Sequence, residues 1–469
     1  MQNRFLRNVS ANSIQLIINQ LFGLLIFYAL SKGLDKNIFG QINWSLAVLL
    51  TVFTLLSFGI DQVMVRKIAA GHDRQSMFAA YLFHVIISGG LFYGLLLIYY
   101  FFFPHLFPRQ SFLLFIGIGK LMIFFSTPFK QVTTAVEKFT SLLYMSIVSN
   151  VIRGIGLLVL LLLNKMSVAN VLVIFIAGDI CEFLLCIIIA RPVLQPPVKI
   201  RWDKNLQFNL LKESLPQTGV VIFSAVMARF DWILIGILVS SARLAEYSFA
   251  WKLFEVCTLP LFIIAPIMIP LFTRIFKRSV NAPDPSFFLE WQVIIASFIA
   301  LALNICWIPL VDLLTDGKYG VVNGRIIFLF SLCMPLLYFN NYLWTINFAK
   351  GKLKLIFSII GISFVLNVTG CCILIPLYAN EGAAIAYLLS IVIQSVLYLQ
   401  TTAFSMPAPR KLFLLVWPGA AFVCGFIARQ YIPGVIAGIA VPMAVFIVVV
   451  LLSKQVKARD WKTLQSLYQ

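Results

Sequence analysis

The stretch 168–190 reads VANVLVIFIAGDICEFLLCIIIA. It is an almost unbroken apolar run that carries two acids, Asp179 and Glu182, three residues apart. A spanning helix needs about 20 such residues. Strict alternation of apolar and polar residues, the mark of a membrane barrel strand, is missing. Within lipid only a helix or a closed barrel satisfies its own backbone. The run therefore reads as a transmembrane α-helix, and its two acids as groups that need partners inside the membrane.

Similar runs fill the chain on both sides. About fourteen have the length of a span: roughly 12–31, 41–60, 77–102, 112–129, 141–163, 168–190, 214–239, 244–271, 287–311, 325–348, 355–376, 382–405, 411–429 and 434–453. The totals agree, with 61% hydrophobic residues and 11% charged. A soluble domain carries roughly 25% charged residues. Mean hydropathy is +0.97. The expected fold class is an all-α polytopic membrane protein with two pseudo-symmetric six-helix bundles plus two C-terminal helices. The expected division is 1–190 for the first bundle, 191–213 for a cytoplasmic linker, 214–405 for the second bundle and 406–469 for two further helices and a basic tail.

The net charge of +19 does not point to nucleic acid, because Lys and Arg sit in short clusters between apolar runs rather than in a basic domain. Cytoplasmic loops collect basic residues, and a cytoplasmic N-terminus places roughly three times as many Lys and Arg inside as outside. Both termini then face the cytoplasm. The first run carries Asn12, Gln15, Asn19 and Gln20 and lacks the clean core of a cleaved signal, so it reads as a retained helix. The linker carries Trp202, Leu206, Phe208 and Leu211, a pattern open to a short interfacial helix. The eight cysteines have no CxxC spacing, and His72, His84 and His105 are scattered. No disulfide framework, metal site or cofactor is expected.

A weak internal repeat supports two halves. Phe39-Gly40-Gln41-Ile42-Asn43-Trp44-Ser45 opens one span, and Leu244-Ala245-Glu246-Tyr247-Ser248-Phe249-Ala250 opens another about 205 residues later, the kind of parallel duplication used by transporters.

Charges inside a bilayer are costly and face a cavity or a partner. The cations are Lys120, Arg153, Arg229 and Lys252, and the acids Asp179, Glu182, Asp231 and Glu255. Two readings stay open for Arg153 with Asp179 or Glu182: an ion pair that locks helices, or a lining group. For Arg229 and Lys252 a cavity role is favoured. Arg229 and Asp231 lie about 200° apart around a helix, so they do not pair with each other. Asn12, Gln15 and Asn19 form one polar stripe, and Gln217, Ser224 and Asp231 another. Such stripes serve helix–helix hydrogen bonding or a watered lumen. Tyr247 and Trp251 are candidates for stacking on sugar.

Several stretches together resemble the O-antigen and polysaccharide flippases (the Wzx type) of the multidrug/oligosaccharidyl-lipid/polysaccharide exporter superfamily. They are Phe39-Gly40; Phe58-Gly59-Ile60-Asp61 through Val65-Arg66-Lys67; Arg229-Phe230-Asp231 with Ile233-Leu234-Ile235-Gly236; Glu246 to Leu253; and Asn380-Glu381-Gly382-Ala383-Ala384. The resemblance covers essentially the whole chain. It implies a non-enzymatic transporter of the bacterial inner membrane. Such a protein moves undecaprenyl-pyrophosphate-linked oligosaccharide by alternating access, with H+ or Na+ as coupling cation and a polysaccharide polymerase as partner. It implies Arg66, Lys67 and Arg274 at the cytoplasmic mouth and Arg229 and Lys252 deeper. Asp61, Asp231 and Glu255 balance charge or couple an ion. Arg suits such a substrate, since its fork of N–H donors matches phosphate oxygens. A multidrug exporter of the same superfamily is the nearest rival, and span one lacks the carboxylate such exporters often use; the peptidoglycan lipid flippase is another relative that the number of spans does not separate, and its characteristic basic residues are missing from span one. A membrane glycosyltransferase or polymerase would need a sizeable outside loop, and the largest, about 312–324, is small.

Overall fold

The computed structural model describes residues 2–103, 110–194, 203–261, 264, 268–269, 272–273, 286–402, 408–432 and 434–453. Every regular element among them is a helix. Eleven of these helices are long and apolar enough to cross a membrane. Large apolar side chains cover their outer faces, with Ile188 66% and Leu313 76% exposed. Such a surface is stable only where lipid is the solvent.

The chain divides into two compact units, 1–248 and 249–469. The first holds α1 (Gln2–Gly33), α2 (Lys36–Leu56), α3 (Ile60–Ala69), α4 (Arg74–Phe102), α5 (Gln110–Ala135), α6 (Phe139–Leu162), α7 (Val168–Leu194), α8 (Lys204–Leu238) and the opening turns of α9 (Ser241–Cys257). Here α5 packs against α7 and α4, α6 against α1 and α7, and α2 runs along α8. Short acids start several helices. Asp35 accepts from the Asn37 amide at 2.8 Å, Asp73 from Ser76 at 2.8 Å and Asp203 from Asn205 at 2.9 Å, which satisfies amides that no helical turn can reach.

The second unit holds the rest of α9, then α10 (Ser286–Thr315), α11 (Gly324–Ala349), α12 (Leu353–Thr401), α13 (Ala408–Tyr431) and α14 (Val435–Leu452). Its core gathers Phe272, Tyr342, Trp417 and Phe446. Side-chain amides join neighbouring helices, with Asn304 donating to Ser331 at 2.6 Å and Asn347 to Thr402 at 2.7 Å.

Several elements differ from the expected spans. The run near residue 41 breaks at Ser57–Gly59, where Phe58 and Gly59 take φ of 50° and 69°, and α3 continues as a separate helix. The expected end at 129 is passed, because Pro128 sits inside α5 without ending it. The linker's interfacial helix is instead the start of α8, a single helix of 35 residues, roughly 50 Å long at 1.5 Å per residue. Of the linker pattern, Trp202 lies outside the described residues. Conversely, α12 is one helix in name only. Ala379 has φ 49° and ψ −126°. A Cβ on Gly382 would strike the Leu374 carbonyl, and one on Gly370 would lie 3.0 Å from Ala386. Positions equally far from residue 378 touch, so α12 is a hairpin of two antiparallel arms, as the two sequence runs there require.

Candidate functional site

Helices α5, α6 and α7 bury a cluster of charge. The Lys120 ammonium on α5 lies 3.3 Å from Asp179 on α7. Arg153 on α6 pairs with the same carboxylate, and its guanidinium carbon stands 5.1 Å above the Phe175 ring. Three residues on, Glu182 takes Lys130 of α5 and the Ser149 hydroxyl of α6. The i, i+3 spacing puts both acids on one face of α7. Gly119 makes room, since a Cβ there would meet the Asp179 carboxylate. Lys120, Arg153, Asp179 and Glu182 are thus brought together, and the ion-pair reading holds for Arg153. Lys130 was missed because a span ending before it puts it in a loop.

The last third of α8 carries a second group. The Asp231 carboxylate accepts from the Tyr247 hydroxyl at 2.7 Å and from the Trp232 amide at 2.9 Å. Tyr247, a candidate sugar platform, is fully buried with its hydroxyl committed to that bond. Arg229 points elsewhere. Its guanidinium carbon lies 4.4 Å above the Trp232 ring and it donates to the Ala228 carbonyl at 2.9 Å. It is half-buried, and it makes no ion pair among the described residues. Of the stripe 217–224–231, Gln217 donates to Gln62 at 2.5 Å, while the side chain of Ser224 lies outside the described residues.

In the second unit Lys252 reaches Glu255 at 3.1 Å, one turn along its own helix. Trp251 meets Phe330 edge-on at 5.3 Å and Tyr387 at 5.0 Å, and is half-buried. Asp312 accepts from the Gly320 amide at 2.7 Å, so it is committed to closing its own loop.

Near the middle of α1, Asn19 accepts from Asn150 at 3.0 Å, and Gln15 is half-buried. The side chain of Asn12 and all of Arg274 lie outside the described residues. Asp61 occupies the first turn of α3, where the helix dipole favours an anion.

Two ionic contacts that the sequence did not reveal hold α2 and α3 to α8 and α9. At one end Lys36 reaches Glu246 at 2.7 Å, and Arg243 reaches the same acid at 3.2 Å. Beside them Asn43 donates to Ser248 at 2.8 Å in a buried site. Gly40 lies so close to the Ser241 carbonyl that no Cβ would fit. At the other end Lys67 reaches Glu213 at 2.7 Å and Arg66 at 3.7 Å. There Thr218 donates to the Phe58 carbonyl at 2.9 Å. The Lys67 side of Glu213 holds that carboxylate below its ordinary range, aided by Arg66. Among the described residues no group of three His, Cys, Asp or Glu is placed to hold a metal.

Residues 5–276 match the family described as "Polysaccharide biosynthesis protein". No curated protein matches the chain by sequence. Among solved structures the chain is similar to the lipid II flippase MurJ in an inward closed conformation, with TM-score 0.75 and 16% identity over 96% of this chain and 99% of that one. It is also similar to an inward-facing multidrug resistance MATE family transporter of the MOP superfamily, with TM-score 0.64 and 12% identity over 88% and 99%. The Vibrio cholerae MATE transporter VcmN gives 0.54 and 14% over 84% and 98%. At these identities the likeness is one of fold, and the fold is that of multi-pass membrane proteins.

Proposed function

We propose, for a chain that belongs to the polysaccharide biosynthesis protein family, that it is a flippase for undecaprenyl-pyrophosphate-linked oligosaccharide, an O-antigen or other surface-glycan unit. It works by alternating access, without catalysis, in the inner membrane with both termini cytoplasmic. The observation that carries the reading is Arg229. Lys120, Arg153 and Lys252 all have carboxylates beside them. Arg229 alone of the four makes no ion pair among the described residues, and it rests on an aromatic face. A half-buried arginine in a span needs an anion, and pyrophosphate offers one that its fork can grip with two bonds. Lys252 contributes charge, and Trp251 offers an aromatic surface to sugar. Arg66 guards the cytoplasmic mouth, and we assign the same role to Arg274, which lies outside the described residues. Asp231, Glu255 and Asp61 balance charge or carry a coupling H+ or Na+, and a polymerase takes up the flipped unit.

The test is deletion of the gene with and without complementation. Surface glycan should vanish, and finished lipid-linked units should accumulate on the cytoplasmic leaflet. Unchanged glycan together with accumulation of cationic drugs would replace this reading with a multidrug exporter.

A further inference from the structure

We propose that α8 and α9 carry two latches of unequal strength, Glu213 and Glu246, that fasten them to α2–α3 at opposite membrane faces, and that the Glu213 latch is the one that opens. The words inner and outer rest on the flippase reading above. Between Glu213 and the end of α8 the rise is roughly 38 Å at 1.5 Å per residue, more than a hydrocarbon core of about 30 Å. The two acids therefore lie at the two faces.

The outer contact is built to stay shut. Glu246 is 8% exposed and holds both Lys36 and Arg243. Around it the Asn43–Ser248 bond is buried, and the Gly40 backbone lies against the Ser241 carbonyl. Opening it would leave Glu246 with only Arg243 of its own helix and would part Asn43 from Ser248 in a buried site, which is costly where water does not replace the lost partners. The inner contact is wet. Glu213 is 42% exposed and Arg66 71%, and the Gln62–Gln217 and Thr218–Phe58 bonds beside them are exposed. Water substitutes for such bonds at little cost, and salt screens the pair. The chain also provides a joint. The positive φ of Phe58 and Gly59 separates α3 from α2, so α3 can leave α8 while α2 stays fastened. Hinges of this kind are a few positions at element ends that absorb the change in backbone angles.

The test uses the full chain in native membranes and needs no substrate. One cysteine pair, Gln62→Cys with Gln217→Cys, reports the inner contact, and Asn43→Cys with Ser248→Cys reports the outer. A short bis-thiol reagent gives the cross-linking yield. Adding Glu213→Gln should lower the inner yield about two- to fivefold, the range an exposed ion pair supplies, and high salt should do the same. Neither change should alter the outer yield. Glu213→Lys combined with Lys67→Glu should restore the inner yield, which separates a lost latch from a misfolded chain. An inner yield indifferent to Glu213→Gln and to salt, or an outer yield that falls equally, overturns the proposal. Surface glycan in the deletion strain is read separately. If glycan does not depend on the gene while the yields behave as described, the flippase reading fails and the latches stand.

Discussion

Lys120 and Arg153, on the adjoining helices α5 and α6, converge on one carboxylate, that of Asp179 on α7. A single acid therefore joins three helices of the first unit.

Asp179→Asn should be among the most damaging substitutions. It leaves two buried cations with a neutral partner, and breaking a buried pair from one side costs about 3–5 kcal/mol. Folded yield and thermal unfolding in mild detergent measure the loss. Lys120→Met in the Asp179→Asn background should recover part of it, since the removed charge no longer needs a partner. If Lys120→Met adds to the damage instead, Asp179 does not serve Lys120.

Arg229→Ala should insert and fold like wild type yet lose most surface glycan at native expression. Arg229→Lys should keep part of it, because an ammonium supplies charge but not a two-bond grip. Trp232→Leu removes the ring beneath Arg229, a contact worth about 0.5–2 kcal/mol, and should weaken glycan display less than Arg229→Ala does. Lys252→Ala should fall between wild type and Arg229→Ala, since Glu255 already answers its charge. Normal glycan with Arg229→Ala would remove that residue from the pathway.

Gly40→Ala should destabilise the first unit although it adds one carbon. That carbon would collide with the Ser241 carbonyl, which is backbone and cannot rotate away. Overpacking of this kind costs about 1–3 kcal/mol. Gly419→Ala is the control, because a Cβ there meets nothing within 4 Å. Equal thermal stability of the two variants would show that α2 has room to yield.

The Glu213 clasp should depend on pH with a definite sign. Its folded carboxylate lies below the ordinary range, chiefly through Lys67. It therefore stabilises the contact above the usual glutamate value of about 4.3 and ceases to as pH falls through the lowered one. The inner cross-linking yield should be flat from neutral pH down to the ordinary carboxylate range and drop only below it. In Glu213→Gln the drop should be absent. A fall already near neutral pH would assign the control to another group.

The apolar runs made most of the fold legible, since in lipid a long apolar stretch has little choice but helix. Asp179 and Glu182 also announced their shared face, because three residues of helix return to the same side. What stayed hidden depends on pairing across the chain. Nothing local to Glu213 indicates Lys67, 146 residues away, and nothing local to Glu246 indicates Lys36. Lys130 was obscured because the apolar run stops just before it, whereas α5 continues to Ala135. The hairpin in α12 was readable as two runs with a turn between 376 and 382, but that Ala379 itself takes the positive φ was not, since alanine rarely does.

The hydrogen bond between Asn43 and Ser248 joins positions 205 residues apart, the same offset that aligns the two similar stretches of sequence. Each residue thus meets its own counterpart, which is what happens on a dyad in a symmetric homodimer. A half-length ancestor could have closed on a second copy of itself through this point, with one gene later carrying both copies. Positions 43 and 248 would since have been bound to change as twins, because each supplies the other's partner across the join.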